Sequence, residues 1–230
     1  MEMSIAENLD KISKMLPGGV KLVAVSKTKP TEAIEEAYRW GQRIFGENKV
    51  QELVEKHKVL PLDIEWHMIG HLQTNKVSEI APFITMIHAV DSLKLLKFID
   101  KESARNERVI DCLLQFHIAQ EETKFGLNYE EAVALLESEE YKAMKHIRIA
   151  GVMGVATNTD DTVQLHKEFR YLHDIFDQLQ RQYFGENGAF RELSMGMSGD
   201  YQIAIQEGST MIRLGSSIFG ERIYPPKKEN

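Results

Sequence analysis

Cysteine is almost absent from this sequence: Cys112 is the only one among 230 residues. A single cysteine cannot form an internal disulfide bond, which suits a reducing compartment. No apolar run approaches the roughly 20 residues that a membrane-spanning helix needs. The first residues carry neither a basic lead nor a long apolar segment, so we expect no signal peptide. These absences predict a cytoplasmic protein with no membrane partner.

Positive charge is also in short supply, since 28 Lys and Arg residues face 35 Asp and Glu residues, a net charge of -7. A sequence-independent nucleic-acid binder needs a basic face, so we expect no nucleic-acid partner. Net charge does not exclude a local pocket for a small anion. Apolar residues make up 43% of the chain, as in ordinary soluble proteins. A chain of this length can bury enough surface to fold without a disulfide or a metal.

Short apolar runs alternate with helical patterns eight times along the chain, after a first amphipathic helix that stops at Pro17–Gly19. The predicted strands are 21–27, 43–47, 65–70, 86–91, 110–119, 147–156, 192–197 and 211–215. The predicted helices that follow them are 31–40, 48–59, 74–81, 92–106, 129–139, 160–184, 199–207 and 217–222. Strands that are almost continuously apolar indicate a parallel sheet covered by helices.

The number of repeats and the length favour a closed barrel over an open sheet. We therefore predict an α/β fold, a (β/α)8 TIM barrel with an additional N-terminal helix. One domain is expected to span 1–230, with the first helix and its stop in 1–19 and a loose tail at 223–230. Chemistry in such barrels collects where the strands end, so the candidate residues are those that follow each strand.

Lys27 ends the first predicted strand, and side chains along a strand alternate between its two faces. If Lys27 faces the barrel mouth, Val23 and Val25 face inward below it and give the pocket an apolar floor. An ammonium group that loses hydration there becomes available as a neutral amine, which can condense with an aldehyde. A solvated lysine just beyond a strand is the alternative that this segment leaves open.

The last two strands end in turns that contain hydroxyl groups and glycines, with Ser198 in one and Gly215 and Ser216 in the other. Backbone N–H groups at such turns bind phosphate in many barrels. Helix capping by Ser198 and Ser216 is the alternative. Arg213 shares the inward parity of Gly215, so it either pairs with a carboxylate or donates to a ligand atom. Asn48 could donate to a phosphate or cap the next helix.

Five segments carry a resemblance to a known family. They are 24–30 (AVSKTKP), 45–52 (FGENKVQE), 66–76 (WHMIGHLQTNK), 193–198 (LSMGMS) and 208–220 (GSTMIRLGSSIFG). In these segments, which cover most of the chain, the sequence resembles the pyridoxal phosphate homeostasis proteins, single-barrel relatives of the alanine racemase N-terminal domain. The resemblance implies a fold-type III barrel that binds pyridoxal 5'-phosphate (PLP).

The resemblance also implies a role for each candidate residue. Lys27 would hold PLP covalently as a Schiff base, and Arg213 would donate to the pyridine nitrogen. The phosphate would be held by Ser198, Gly215 and Ser216, with Asn48 nearby. This chain departs from the family pattern in having Ser216 where threonine is usual, which keeps the hydroxyl. It also has Phe116–His117 where a small apolar residue and asparagine are expected, so a polar contact from that strand is in doubt.

The family is regarded as carrying and regulating the PLP pool, so we expect a PLP-binding protein without catalytic turnover and with apo PLP-dependent enzymes as partners. An arginine beside the ring nitrogen disfavours its protonation and weakens the ring as an electron sink. Racemases take a second acid–base group, and their dimer contacts, from a further domain, so we expect a monomer. The alternatives are an amino-acid racemase, with His67 or His117 as second base, and a Schiff-base aldolase.

Two further patterns are set aside. His67 and His71 lie four residues apart, but a strand and a turn intervene, and no third ligand is near, so we predict no metal site. Cys112 lies in an apolar strand and is predicted to be a small buried hydrophobic residue rather than a nucleophile.

Overall fold

Eight parallel strands pair in chain order, and the last pairs with the first, so the sheet closes into a barrel. The computed structural model describes residues 3–121, 125–185 and 188–220. The strands are β1 (Lys21–Val25), β2 (Ile44–Glu47), β3 (Glu65–Met68), β4 (Met86–Val90), β5 (Ile110–Phe116), β6 (Ile147–Gly154), β7 (Glu192–Met197) and β8 (Met211–Leu214). The predicted (β/α)8 barrel with an additional N-terminal helix is confirmed.

Helices connect the strands on the outside of the barrel. They are α1 (Ile5–Met15), α2 (Thr31–Trp40), α3 (Val50–Val59), α4 (Val77–Ile80), α5 (Leu93–Arg105), α6 (Tyr129–Glu137), α7 (Glu139–Lys142), α8 (Thr162–Leu179), α9 (Tyr201–Gln206) and α10 (Ser216–Phe219). A 3-10 turn (Thr74–Lys76) precedes α4, and a π-helical turn (Gln180–Phe184) extends α8. No helix in the described ranges is long and apolar enough to cross a membrane.

Local sequence signals fix several helix ends. The Ser92 hydroxyl accepts from the N–H of Leu95 at 3.3 Å and caps α5. Asn128 and Glu131 form the reciprocal capping box that their spacing predicts at the start of α6. Gly185 ends the π-helical turn with a φ of 55°, a conformation that glycine adopts without strain.

Strand ends were the least accurate part of the prediction. The first strand ends at Val25 rather than at residue 27, the third at Met68 and the fifth at Phe116. Buried residues such as Ser26 and Ile118 continue past Val25 and Phe116 because the chain still packs against the barrel as it turns, although the ladder of hydrogen bonds stops. The predicted helix 217–222 is the four-residue α10, and the predicted tail 223–230 lies outside the described residues.

Successive residues of each strand face opposite sides of the sheet and therefore belong to two different cores. Outward residues pack against the helices in the larger core, which includes Ala24, Phe45 and Trp66. Inward residues form a smaller cluster made of Val23, Met86, Ala89, Leu113, Ala150, Met153 and Met211. The inward set also contains buried polar side chains, among them His67, His88, Glu192, Ser194 and Arg213. The interior of the barrel therefore combines apolar and buried polar side chains.

Candidate ligand-binding site

A cavity of about 710 Å³ opens where the strands end. All six predicted site residues line it: Lys27, Asn48, Ser198, Arg213, Gly215 and Ser216. Apolar parts of its wall come from Val25, Ile69, Val155 and Met197. The cavity thus combines a primary amine, a guanidinium and hydroxyl groups with an apolar floor, as ligand sites commonly do.

Lys27 lies in the turn after β1, two residues past the end of the strand, and its side chain is half-buried in the cavity wall. Val23 belongs to the inward cluster, and Val25 is buried below Lys27 in the same cavity. The alternation of β1 therefore gives the cavity the apolar floor that the sequence predicts.

A buried ion pair outside the barrel holds the turn that carries Lys27. Glu47 is fully buried, and its Oε1 accepts from the Ser26 hydroxyl at 2.6 Å and from Lys56 Nζ at 2.6 Å. Lys56 also donates to the carbonyl of Ser26 at 2.8 Å and to Glu52 at 2.7 Å. These contacts fix the backbone on the amino side of Lys27.

The carboxyl side of Lys27 is held by the same group. Thr28 has a φ of 64°, a strained value for a β-branched residue, and its N–H donates to Glu52 at 2.5 Å. Burial raises the pKa of Glu47, and Lys56 and Ser26 oppose that rise. This group was not predicted from the sequence, although Glu52 and Lys56 stand at the i,i+4 spacing that permits an ion pair.

Arg213 is 4% exposed and enters the cavity from β8. Its Nη1 donates to the Ser194 hydroxyl at 2.5 Å, and its Nη2 donates to the carbonyl of Gly154 at 2.9 Å. Within the described part of the chain these neutral groups are its hydrogen-bond partners, and it forms no ion pair. Burial lowers the pKa of Arg213 to about 10, and Asp200 opposes that change, so the guanidinium stays charged at neutral pH.

Two backbone N–H groups converge at the start of α10. The N–H of Gly215 and the N–H of Ser217 point to the Ser198 hydroxyl at 3.3 and 3.4 Å. Ser198 therefore does not cap its own helix α9, and Ser216 is the first residue of α10 rather than its cap. A Cβ at Gly215 would lie 3.3 Å from the carbonyl oxygen of Val25, so glycine lets this turn lie against β1.

Asn48 does not cap α3, whose first flanking residue is Lys49. Its Oδ1 atom is buried, with no hydrogen-bond partner among the described residues. The oxygen and nitrogen of an amide can exchange places by a rotation of the group, which would turn the two N–H donors to this position. Asn48 lines the cavity, so its amide N–H groups are donors that a ligand oxygen can accept.

Other predicted residues are not brought to the cavity. His117 Nε2 lies 2.9 Å from the carbonyl oxygen of Glu121, and neither His117 nor His67 lines the cavity. His71 stacks on Phe125 and lies 3.4 Å from Asp91 instead of joining His67. No group of three metal-ligating side chains occurs in the described ranges.

Cys112 is fully buried, as its apolar neighbours predict, and burial raises the pKa of its thiol. The anionic thiolate is therefore disfavoured, which argues against a nucleophilic role.

A row of polar contacts inside the barrel was also not predicted from the sequence. His88 Nδ1 lies 3.1 Å from the Ser194 hydroxyl, and His88 Nε2 lies 2.9 Å from His67 Nδ1. Burial lowers the pKa of His67 to about 3 and holds the pKa of His88 well below its ordinary value. His67 and His88 stand in separate strands. The only signal in the sequence is that His67, His88 and Ser194 all occupy inward-facing positions of their strands.

Comparison with known proteins assigns the family. The family model for the alanine racemase N-terminal domain matches residues 3–223. A relative from Aquifex aeolicus, named pyridoxal phosphate homeostasis protein, is 40% identical over 205 residues, which are 89% of this chain and 88% of the relative. The human protein of the same name is 40% identical over 218 residues, 90% of this chain and 78% of its own length.

Solved structures agree with the sequence relatives. PipY of Synechococcus elongatus, solved without PLP, is 35% identical with a TM-score of 0.87 and covers 94% of this chain and 100% of its own. The same protein with PLP bound gives a TM-score of 0.85. An alanine racemase of Clostridium difficile, 13% identical, shares the fold with a TM-score of 0.74, over 97% of this chain and 61% of the racemase. This chain therefore belongs to the pyridoxal phosphate homeostasis protein family, which has the barrel of the alanine racemase N-terminal domain.

Proposed function

We propose that this protein binds PLP as a Schiff base on Lys27 and takes part in intracellular PLP homeostasis, by buffering the cofactor or delivering it to apo-enzymes. One observation carries the proposal: the cavity brings a half-buried amine, a buried guanidinium and two convergent N–H groups together at the barrel mouth. PipY, which has the same fold, was solved with PLP bound. The reducing, cytoplasmic location expected from Cys112 suits this task.

The residues present fit the chemical parts of PLP. The aldehyde that PLP supplies forms a reversible imine with a primary amine, which Lys27 provides. Arg213 would donate to the ring nitrogen, since its guanidinium has five N–H donors and two contacts hold it. Ser198, Gly215 and Ser216 would hold the phosphate through hydroxyl and N–H groups, and Asn48 would donate to a further oxygen. An imine is reversible, so the same linkage can store and release the cofactor.

The residues of the cavity favour binding of PLP without catalytic turnover. A charged arginine beside the ring nitrogen disfavours protonation there, which weakens the ring as an electron sink. Racemisation also needs a second acid–base group on the opposite face of the substrate. The two histidines considered for that role, His67 and His117, lie outside the cavity lining. The relatives at about 40% identity are named as homeostasis proteins.

Titration of the purified protein with PLP, followed by absorption, tests the proposal. The wild type should develop a long-wavelength imine band, Lys27→Ala should not, and Lys58→Ala, at an exposed lysine outside the cavity lining, should behave as the wild type. A wild type that stays unpigmented contradicts PLP binding and favours a Schiff-base aldolase. Incubation of the loaded protein with L-alanine tests the racemase alternative. Inversion of the optical signal in proportion to protein, lost in Lys27→Ala, would contradict a carrier without turnover.

A further inference from the structure

Four buried polar side chains form a continuous row across the inside of the barrel. The row runs from Arg213 to Ser194 at 2.5 Å, from Ser194 to His88 at 3.1 Å, and from His88 to His67 at 2.9 Å. All four side chains are at most 4% exposed. Arg213 lies at the cavity, whereas His67 borders a separate cleft of about 570 Å³ at the amino ends of the strands.

The direction of each hydrogen bond follows from the donors available. Arginine only donates, so the Ser194 oxygen accepts from Arg213. The single hydroxyl proton of Ser194 then needs an acceptor, and His88 Nδ1 is the partner within reach in the described residues. His88 therefore carries its proton on Nε2 and donates to His67 Nδ1, which leaves the proton of His67 on Nε2. Burial lowers the pKa of both rings, so both are neutral.

We propose that Ser194 and His88 are positioning residues for Arg213, and that the row fixes the guanidinium so that its remaining N–H groups face the ring nitrogen of the bound cofactor. The inference rests on the proposed function for that last contact. Ser194 and the carbonyl of Gly154 hold two different nitrogens of the guanidinium, which fixes its plane. His88 keeps the Ser194 hydroxyl turned away from Arg213, and His67 keeps the tautomer of His88.

Nitrogen-15 NMR of the imidazole rings tests the row in the unloaded protein. Both His67 and His88 should be neutral at pH 7 and protonated on Nε2. A cationic ring, or a proton on Nδ1 of His88, would overturn the proposed directions. This measurement does not depend on PLP, so the row can be disproved independently of the proposed function.

Variants of the loaded protein test the effect on the cofactor. Ser194→Ala should shift the absorption band and speed PLP release about fivefold, the effect of one hydrogen bond of ordinary strength. Ser209→Ala is the matched control, because Ser209 is also buried and donates to carbonyls of the same two strands. Its band and release rate should stay those of the wild type. Ser194→Thr, which keeps the hydroxyl, should restore both.

His67→Gln gives a second, distant variant that does not touch the cavity. It should shift the absorption band in the same direction as Ser194→Ala, but by less. Because His67 lies far from the cavity, this variant still tests the row if Ser194→Ala fails to fold. Identical spectra and release rates for Ser194→Ala, His67→Gln and the Ser209→Ala control would overturn the positioning role. An unpigmented wild type with the expected NMR tautomers would instead contradict the proposed function and, with it, the contact to the ring.

Discussion

Lys56 Nζ lies 2.6 Å from Oε1 of Glu47, and the exposed fractions of the two side chains are 7% and 0%. This buried ion pair joins α3 to the end of β2, and both partners also bond to Ser26, the residue before Lys27. The amine at the barrel mouth is therefore placed by a charged group behind it, on the helix side of the sheet.

Removing one partner of this pair should destabilise the protein strongly. Lys56→Met leaves the Glu47 carboxyl buried without its cation, which typically costs about 3–5 kcal/mol of unfolding free energy. Lys76→Met is the control, because Lys76 pairs with Glu79 on the surface and such pairs contribute less than about 1 kcal/mol. Urea unfolding measures both variants. Similar small losses in the two would contradict a structural role for the buried pair.

Gly196 should tolerate no side chain. Its φ is 97°, and a Cβ there would lie 2.7 Å from the Cβ of Ala204, where α9 crosses the end of β7. Gly196→Ala should lower the free energy of unfolding by about 1–3 kcal/mol through strain and crowding. Gly18→Ala, at a site with nothing within 4 Å of the added carbon, should change it little. Equal effects in thermal or urea unfolding would contradict the packing described for this turn.

Stability should fall as the pH drops below 6.5, because His67 and His88 are buried and their pKa values are lowered. The unfolded chain takes up protons at its ordinary histidine pKa, whereas the folded chain does so only far lower, at about 3 for His67. The stabilisation is therefore complete above pH 6.5 and is lost as the pH falls from there towards 3. Each histidine contributes a slope of up to about 1.4 kcal/mol per pH unit.

Urea unfolding between pH 6.5 and 5 measures that slope. His67→Gln should reduce it by the share of one histidine, while Ser209→Ala, at a buried residue with no histidine ring, should leave it at the wild-type value. A His67→Gln protein with the full slope would show that His67 does not stay neutral in the folded state.

The phosphate contacts should appear as a difference between two ligands. Ser198→Ala removes the hydroxyl on which the N–H groups of Gly215 and Ser217 converge. Affinity for PLP should fall about fivefold to tenfold, as for one hydrogen bond to a charged group. Affinity for pyridoxal, which has no phosphate, should not change. Equal weakening of the affinity for both ligands would mean that the phosphate binds elsewhere. Ser103→Ala is the control: Ser103 is buried in α5, and this variant should bind both ligands as the wild type does.

The repeating pattern predicted all eight strands and the inward parity of Val23, Lys27 and Arg213, because periodicity and order are local properties of a sequence. The two polar groups that support the site were missed. Glu47 and Lys56 face each other across an αβ layer, and His67 and His88 lie 21 residues apart in different strands. Such pairs form only when the closed barrel sets the register between strands, which the sequence pattern does not specify.

Strand ends show a second limit. Buried residues continue beyond Val25 and Phe116, and the pattern alone does not distinguish a paired residue from one that packs without pairing. The capping alternatives for Ser198, Ser216 and Asn48 depended on the first residue of each helix, which the sequence pattern does not fix to within one or two residues. Their capping roles fail because α9, α10 and α3 begin at different residues.

Borohydride reduction of the PLP-loaded wild type, followed by peptide mass mapping, tests the central claim most directly. Reduction converts the imine to a stable amine, so the pyridoxyl mass marks the lysine that held the cofactor. The account predicts this mass on the peptide that contains Lys27. The same mass on Lys29 or Lys49 instead, or on no lysine at all, would contradict it.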